Sequence, residues 1–484
     1  MRTALTRRSR TPVGRVPVAR PGGRGEECVT SRYGFGRVSC SVGDILCWGI
    51  VLKKFVGSLL SFARALGAFS IAMIFVGALP ARAEVKPGDV ITAANAEQVR
   101  ALVSPGAFVA VAKGMQMNIV APGRIDWPPP YQNATEKYAS QVQLAPDHRD
   151  LLGYVAGQPF PILDANDPDV ATKIMWNQYF KPITTDDFDL RYFECQVAPQ
   201  NPGGSQQLLK MTETGHLAGY FDIGRTEVDP MPADPDFKVT GIWWRAAAYP
   251  TLAPADDRGS GGIRYRYWDA NHGDDAWAFL AATRRVRRVN EVILSSSPGL
   301  STWDPDHGGG FAAKPQEYNF KFLGERSMLG CVHAKNSPAH PCTTDGGATA
   351  CPDDWEMRHL YMVEVTPRPE RIRGILQSKT VVYIDGEGWF NPYVDSYDRK
   401  GELWKTQIYL MTYRDRPVPD AKIAVYPFKR EFNIAASSID VQSGVSTTCY
   451  LPGPDTAERE CWYINMGAVD RDFFTTEALV KAGH

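Results

Sequence analysis

The stretch TVVYIDGEGWFNPYVDSYDRKGELWKTQIYLMTY, residues 380–413, decides the fold. It holds three runs rich in β-branched and aromatic residues: Thr380 to Asp385, Trp389 to Asp398 and Glu402 to Tyr413. The connections, Asp385-Gly386-Glu387-Gly388 and Asp398-Arg399-Lys400-Gly401, carry the aspartates and glycines that tight turns favour. Such short connections cannot return the chain to the start of a parallel strand. Neighbours must run antiparallel, so the stretch is a meander.

Upstream, Arg358 to Thr366 places Tyr361, Val363 and Val365 on one face and Leu360 and Met362 on the other, so both faces are expected to be covered. Ile263 to Trp268 and Ala276 to Leu280 flank Asn271-His272-Gly273-Asp274 as a hairpin. This β texture begins near Leu190. Before it the chain is helical and loopy. Asn95, with Gln98 three residues on, is expected to cap a short helix that Pro105-Gly106 ends. Trp127-Pro128-Pro129-Pro130 is a rigid extended piece, and Asp167-Pro168 opens a helix running to about Phe180, with Val170, Ile174 and Asn177 on one face. A last helix spans Thr476 to Ala482. There is no internal repeat. The pattern reads as mainly β (α+β): a large twisted antiparallel sheet formed by 184–484, either packed on its helices as a core or curled around an apolar ligand, with 84–183 as a helical and loop segment packed on it.

The N-terminus points to export. The apolar run 66–79 follows Lys53, Lys54 and Arg64 and precedes Ala81-Arg82-Ala83, the layout of a signal peptide over 51–83 cleaved after Ala83. The run is shorter than the roughly 20 residues of a membrane span. Residues 1–50 read as translation upstream of a start at Val51, or as a disordered arm. From 84 onward the chain has 40 Lys plus Arg and 51 Asp plus Glu, a net charge of −11. That charge argues against nucleic acid as the main partner, and no later stretch is apolar for long enough for stable membrane insertion.

Cys28, Cys40 and Cys47 precede the cleavage point; Cys195, Cys331, Cys342, Cys351, Cys449 and Cys461 follow it. An even count in an exported chain suggests disulfides, though connectivity is not legible in sequence. Local pairing would join Cys342 to Cys351 and Cys449 to Cys461, leaving Cys195 for Cys331.

Four ordered blocks carry a family resemblance. They are Gly157-Gln158-Pro159-Phe160-Pro161 with Asp167-Pro168 and Trp176-Asn177; Asp275-Ala276-Trp277-Ala278-Phe279-Leu280 with Arg284-Arg285-Val286-Arg287-Arg288; Tyr318 to Gly324 with Glu325 and Met328; and Tyr383-Ile384-Asp385 with Tyr397 to Lys405. Together these resemble the exported domain-of-unknown-function family 1329, across nearly all of the chain after Ala83. The family is similar to the LolA and LolB lipoprotein carriers. That resemblance implies a large curved antiparallel sheet, an incomplete β-barrel of LolA-like type closed by helices, with an apolar cavity for acyl chains and an RND-type exporter and outer-membrane protein as company. It supplies no catalytic residues. The stretch from Cys331 to Trp355, containing His333 and His340, departs from the pattern and is expected to be a disulfide-pinned surface loop.

The chemistry is sparse. No hydrolase elbow, His-Glu-x-x-His helix or phosphate-cradling loop is present, so no catalytic set, metal or cofactor is assigned. Zinc on Cys331, His333, His340, Cys342 and Cys351 is a weaker reading than disulfides. The loop Trp303-Asp304-Pro305-Asp306-His307-Gly308-Gly309-Gly310 reads as a solvated turn, with a cation or polar-ligand contact as the alternative. Arg284, Arg285, Arg287 and Arg288 read either as a charged edge strand that resists pairing or as a grip on an anionic headgroup or acidic partner. Trp243, Trp268, Trp277 and Trp404 are the cavity candidates. The expected function is a periplasmic carrier that binds a lipid or other apolar small molecule in a concave β cavity. The alternatives are a solid accessory protein of an exporter, or an enzyme using Asp304, His307 or a metal on an apolar substrate.

Overall fold

The structure, a computed structural model, describes residues 85–289, 301–304, 306, 308–369, 375–453 and 462–483. The readings of 1–50 and 51–83, and those of Cys28, Cys40, Cys47, His307 and Cys461, lie outside these residues. The helices are α1 (Pro105–Ala112), α2 (Pro129–Tyr138), α3 (Val170–Tyr179), α4 (Phe237–Thr240) and α5 (Thr476–Ala482). The strands before the meander are β1 (Val90–Ile91), β2 (Met117–Ile119), β3 (Gln143–Leu144), β4 (Leu151–Leu152), β5 (Asp187–Pro199), β6 (Lys210–Phe221), β7 (Ile242–Ala253), β8 (Gly261–Tyr267), β9 (Asp275–Leu280), β10 (Arg285–Val289), β11 (Tyr318–Gly330) and β12 (Asp353–Pro367). Then follow β13 (Lys379–Asp385), β14 (Tyr393–Tyr397), β15 (Leu403–Arg414), β16 (Arg430–Asp440), β17 (Val445–Tyr450) and β18 (Trp462–Ile464).

One large sheet runs β1-β2-β12-β13-β14-β15-β16-β17-β5-β6-β7-β8-β9-β10, with β11 on β12 and β18 on β5. The meander is present as β13, β14 and β15, paired antiparallel in succession. One pair departs from the antiparallel expectation, for β2 joins β12 in parallel. The segment before Asp187 therefore adds strands to the sheet as well as helices. Among the described residues the sheet is not closed: β1 ends one side and β10 the other.

Period-two alternation divides the core. Leu360, Met362, Tyr383, Tyr393, Ile408 and Leu410 face a layer built by α1, β1, β2 and the 331–351 stretch. Val363, Val365, Val382, Ile384, Val394 and Tyr409 face α3 and the segment around Phe311. The two sides of β12 are thus buried against different partners. Along β6 to β9, Ala218, Ala247, Ile263 and Phe279 pack under α5.

The prolines before α1 and α2 act differently from the sequence reading. Pro105 starts α1 instead of ending a helix, and Ser104 Oγ caps it by accepting from Ala107 N. Pro129 and Pro130 form the first turn of α2, not an extended rod. Both follow from the tolerance of first-turn positions for a residue that lacks N–H. In the preceding 3-10 segment, Ala93–Val99, Thr92 holds the cap position and Asn95 is its partner three residues in. A Cβ on Gly106 would lie 2.2 Å from the Thr406 Cβ, so only glycine lets α1 sit this close to β15. There the buried Asp395 carboxylate accepts from Ser104 Oγ (3.0 Å), Gly106 N (3.1 Å) and Thr406 Oγ1 (2.6 Å).

The cysteine pairing is only partly local. Cys342 bonds Cys351, but Cys449 bonds Cys195 instead of Cys461, and Cys331 is a buried free thiol instead of the partner of Cys195. The reason is topological: β17 lies beside β5, with Cys449 directly opposite Cys195. Nor is the 331–355 stretch a surface loop. Cys331, Ala334, Ala339, Cys342 and Ala350 are buried against the sheet, and His333 Nδ1 lies 3.0 Å from Glu356 Oε1.

Peptide mapping without reductant should recover 195–449 and 342–351 cross-links and alkylate Cys331 only after unfolding. Breaking the 195–449 bridge with serines should cost about 2–4 kcal/mol in urea melts, the usual loss when a native disulfide is removed. Burial pushes Asp395 up to about 6, against its hydrogen bonds. The native state then holds a proton there that the unfolded chain releases, so this contribution is full below about pH 4 and is lost as the pH rises through about 6. Melts across that interval should show the wild type losing stability relative to Asp395→Asn.

Candidate functional site

Curvature leaves an inner face, and two pieces of chain fill it. α3 is the first. Its Val170, Ala171, Ile174 and Met175 pack on β12 to β15, while Trp176 and, just beyond the helix, Phe180 pack with Trp243 of β7. Trp268 joins that second cluster, 6.1 Å from Trp176 and 6.2 Å from Trp243 between ring centroids.

The second piece is a strap, residues 301–304, 306 and 308–313, which forms no strand and no α-helix among its described residues. Thr302 N donates to Thr447 Oγ1 on β17 (2.9 Å), and Thr302 Oγ1 to the Ser438 carbonyl on β16 (2.6 Å). The Trp303 ring meets Tyr409 of β15 at 6.0 Å. Asp304 accepts from Lys405 Nζ and from Gln377 Nε2, both at 3.0 Å. Asp306 lies 2.8 Å from the Arg264 guanidinium and 3.8 Å from that of Arg266, both on β8. Phe311 stacks edge-on against Tyr318 at 5.1 Å, and its N–H reaches Asn391 Oδ1. β15 and β8 stand six ladder steps apart in the sheet. One short strap touches both because the sheet wraps around it.

This overturns the reading of the 303–310 loop as a solvated turn for its acidic part: Asp304 and Asp306, with Thr302 before them, are buried, while Gly308 and Gly309 form an exposed turn. Lys405 and Arg266 are buried with them, their side chains 5% and 1% exposed. Burying such groups is tolerable only when charges are paired, as these are. Arg266 also bonds Asp274, and its guanidinium lies 5.0 Å from the Trp244 ring. Beside the strap, Asp306, Phe311, Tyr318, Val365, Ile375, Gln377 and Thr380 line a recess of about 10 Å³, room for roughly one water.

The four tryptophans do not share one cavity. Trp243 and Trp268 sit together under α3, whereas Trp277 packs on Tyr265 in the cluster beneath α5. Trp404 occupies a bulge between β14 and β15; its Nε1 donates to Asp440 and its ring lies 4.5 Å from Lys405 Nζ, at the edge of the strap's seat. Arg284, in a left-handed turn conformation, and the exposed Arg285, Arg287 and Arg288 belong to the β9–β10 hairpin at the open end of the sheet. Arg288 pairs with Asp275. Cys342 and Cys351 spend on each other the sulfurs that a zinc ion would need. Lys405, Arg264, Arg266 and Gln377 were not singled out from the sequence. Alternation was the available signal, for it puts Lys405 on the face of Tyr409 and sets Arg264 and Arg266 opposite Ile263 and Tyr265.

Sheet, helix and strap together define an open curved-sheet protein whose inner face is closed by its own chain. Residues 90–480 match the family described as protein of unknown function DUF1329, and the chain belongs to that family. It is 23% identical over 354 residues to the uncharacterized protein PA3922 of Pseudomonas aeruginosa, spanning 70% of this chain and 72% of that one. Solved structures similar to it include a DUF1329 family protein from Desulfovibrio piger (TM-score 0.41, 14% identity, 64% of this chain and 97% of that one). A LolA superfamily protein from Nitrosomonas europaea also matches (TM-score 0.35, 13% identity, 64% and 98%).

Removing one member of the buried strap pair is expected to hurt more than removing both charges. Lys405→Met should lower stability by about 3–5 kcal/mol by taking the Lys405 cation away from the buried Asp304 carboxylate, and Asp304→Asn with Lys405→Met should recover most of it. Chemical denaturation of the three proteins measures the difference directly.

Proposed function

We propose that this protein is a periplasmic carrier that shields an apolar molecule, a lipid or lipid-like compound, on the inner face of its sheet. The observation that carries the reading is the nature of the inner cover. Val363, Val365, Val382 and Tyr409 form an apolar surface, and part of its cover is an irregular strap instead of a second sheet. A strap held by side chains can leave without breaking a strand ladder. An acyl chain taking its place would gain about 0.8 kcal/mol per buried CH₂, set against the strap contacts it displaces, so affinity should rise with chain length. Membership of the DUF1329 family and its resemblance to lipoprotein carriers support the same reading.

In this reading the protein acts by burial; Asp304, one of the groups considered for catalysis, is engaged by Lys405 and Gln377. Delivery between an RND-type exporter and an outer-membrane protein completes the proposal, with the signal-like segment ending at Ala83 as the route to that compartment. No helix among the described residues is long and apolar enough to cross a membrane. One observation favours a second reading, a solid accessory protein of the exporter: the recess beside the strap has room for only about one water.

The full chain, exported and purified without detergent, should yield a stoichiometric apolar compound on solvent extraction and a matching mass shift in native mass spectrometry. A clean apo mass with no uptake from added lipid would reject the carrier and favour the accessory protein.

A further inference from the structure

We propose that the strap is a built-in stand-in for the ligand, and that the seats it fills on the inner face form a binding site for an anionic amphiphile: an apolar chain bearing a carboxylate or phosphate head. The proposal rests on the carrier reading and names the ligand class for it.

The strap meets the sheet as such a molecule would. Its Asp304 carboxylate lies on Lys405 and Gln377, and Asp306 lies on Arg264 beside Arg266. Its apolar groups, the Trp303 and Phe311 rings, rest on Tyr409 and Tyr318. Were the strap only filler, apolar residues against an apolar sheet would hold as well or better, since a buried ion pair rarely outdoes the hydrophobic contact that could replace it. Instead the inner face carries Lys405, Arg264 and Arg266; the strap supplies Asp304 to Lys405 and adds Asp306 to two arginines that Asp274 also holds.

The fit is also incomplete. Trp303 Nε1 and Gln377 Oε1 are buried without a hydrogen-bond partner among the described residues. Unmet polar groups of this kind weaken the closed state and leave a competitor something to gain. The recess between Phe311, Val365, Ile375 and Gln377 opens beside the strap, where an incoming chain could first insert. Displacement would expose Lys405, Arg264 and Arg266 to the head and Tyr409, Tyr318 and Val365 to the chain. Trp404, at the rim beside Lys405, would border the head.

The test titrates the full exported chain with laurate, with dodecanol as the uncharged chain and with sodium phosphate as the bare anion, while following hydrogen exchange of the amides in 302–313. Laurate should bind at least about tenfold more tightly than dodecanol, a difference of one charge-assisted contact, and should speed exchange in the strap. Trp303→Ala, which loosens the strap and leaves its seats intact, should tighten laurate binding by about tenfold. Asp304→Asn with Lys405→Met should bring laurate down towards dodecanol; if that protein does not fold, Trp303→Ala and exchange on the native chain still decide. Equal binding of laurate and dodecanol would sink the anionic site and leave the carrier standing. Binding of neither, even by Trp303→Ala, would sink both. Phosphate binding as tightly as laurate would make the seats an inorganic-anion site, and laurate binding with strap exchange unchanged would place the ligand elsewhere; each overturns the proposal.

Discussion

A sheet that curves acquires an inner face that a second flat layer cannot follow. The cover must be small and must reach both flanks. Here α3 and the strap meet that constraint, and the rest of the architecture is arranged around them. α3 bridges the flanks by turning Ile174 and Met175 to β12–β15 and Trp176 to the β7 side. The strap bridges them through charge, with Asp304 on β15 and Asp306 on β8. The outer face is covered by larger and more regular pieces: α1 and the 331–351 stretch over one half, and α5 over the other.

The two covers differ in physical kind. The outer layer is fixed by close approach and a covalent bond: Gly106 against Thr406, the Asp395 carboxylate across α1 and β15, and the Cys342–Cys351 bridge. The strap on the inner layer depends on buried ion pairs, ring contacts and the hydrogen bonds of Thr302 and Phe311. Those interactions are strong while intact and replaceable by any group of the same charge and shape. A protein that must stay folded while opening one face would divide its interactions in this way.

Charge on the sheet also differs from face to face. The arginines of the β9–β10 hairpin are exposed at the open end, a position that suits a protected edge and a grip on an anionic partner equally. Lys405 and Arg266 are buried, and their burial requires the acids that meet them. The conspicuous arginine run is therefore the less informative of the two sets.

Much of the fold was legible in residue order. Short Asp- and Gly-containing turns imposed the meander, alternation assigned Val363 and Leu360 to opposite faces, and Thr476 to Ala482 formed the final helix. These are local matters, settled by turn chemistry and the period of the strand. Residue order did not reveal that β17 would lie beside β5, so the pairing of Cys195 with Cys449 escaped a reading based on nearness in the chain. Nor did it show that a Gly-rich, Asp-containing loop would be drawn inward: its composition is that of a solvated turn, and only curvature of the sheet brings Lys405 and Arg264 within its reach. The sequence by itself determined the meander, the β8–β9 hairpin and the two faces of β12, because those depend on neighbours a few residues away. Tertiary structure alone decided which distant strands meet and which charges are buried, because both depend on how far the sheet bends.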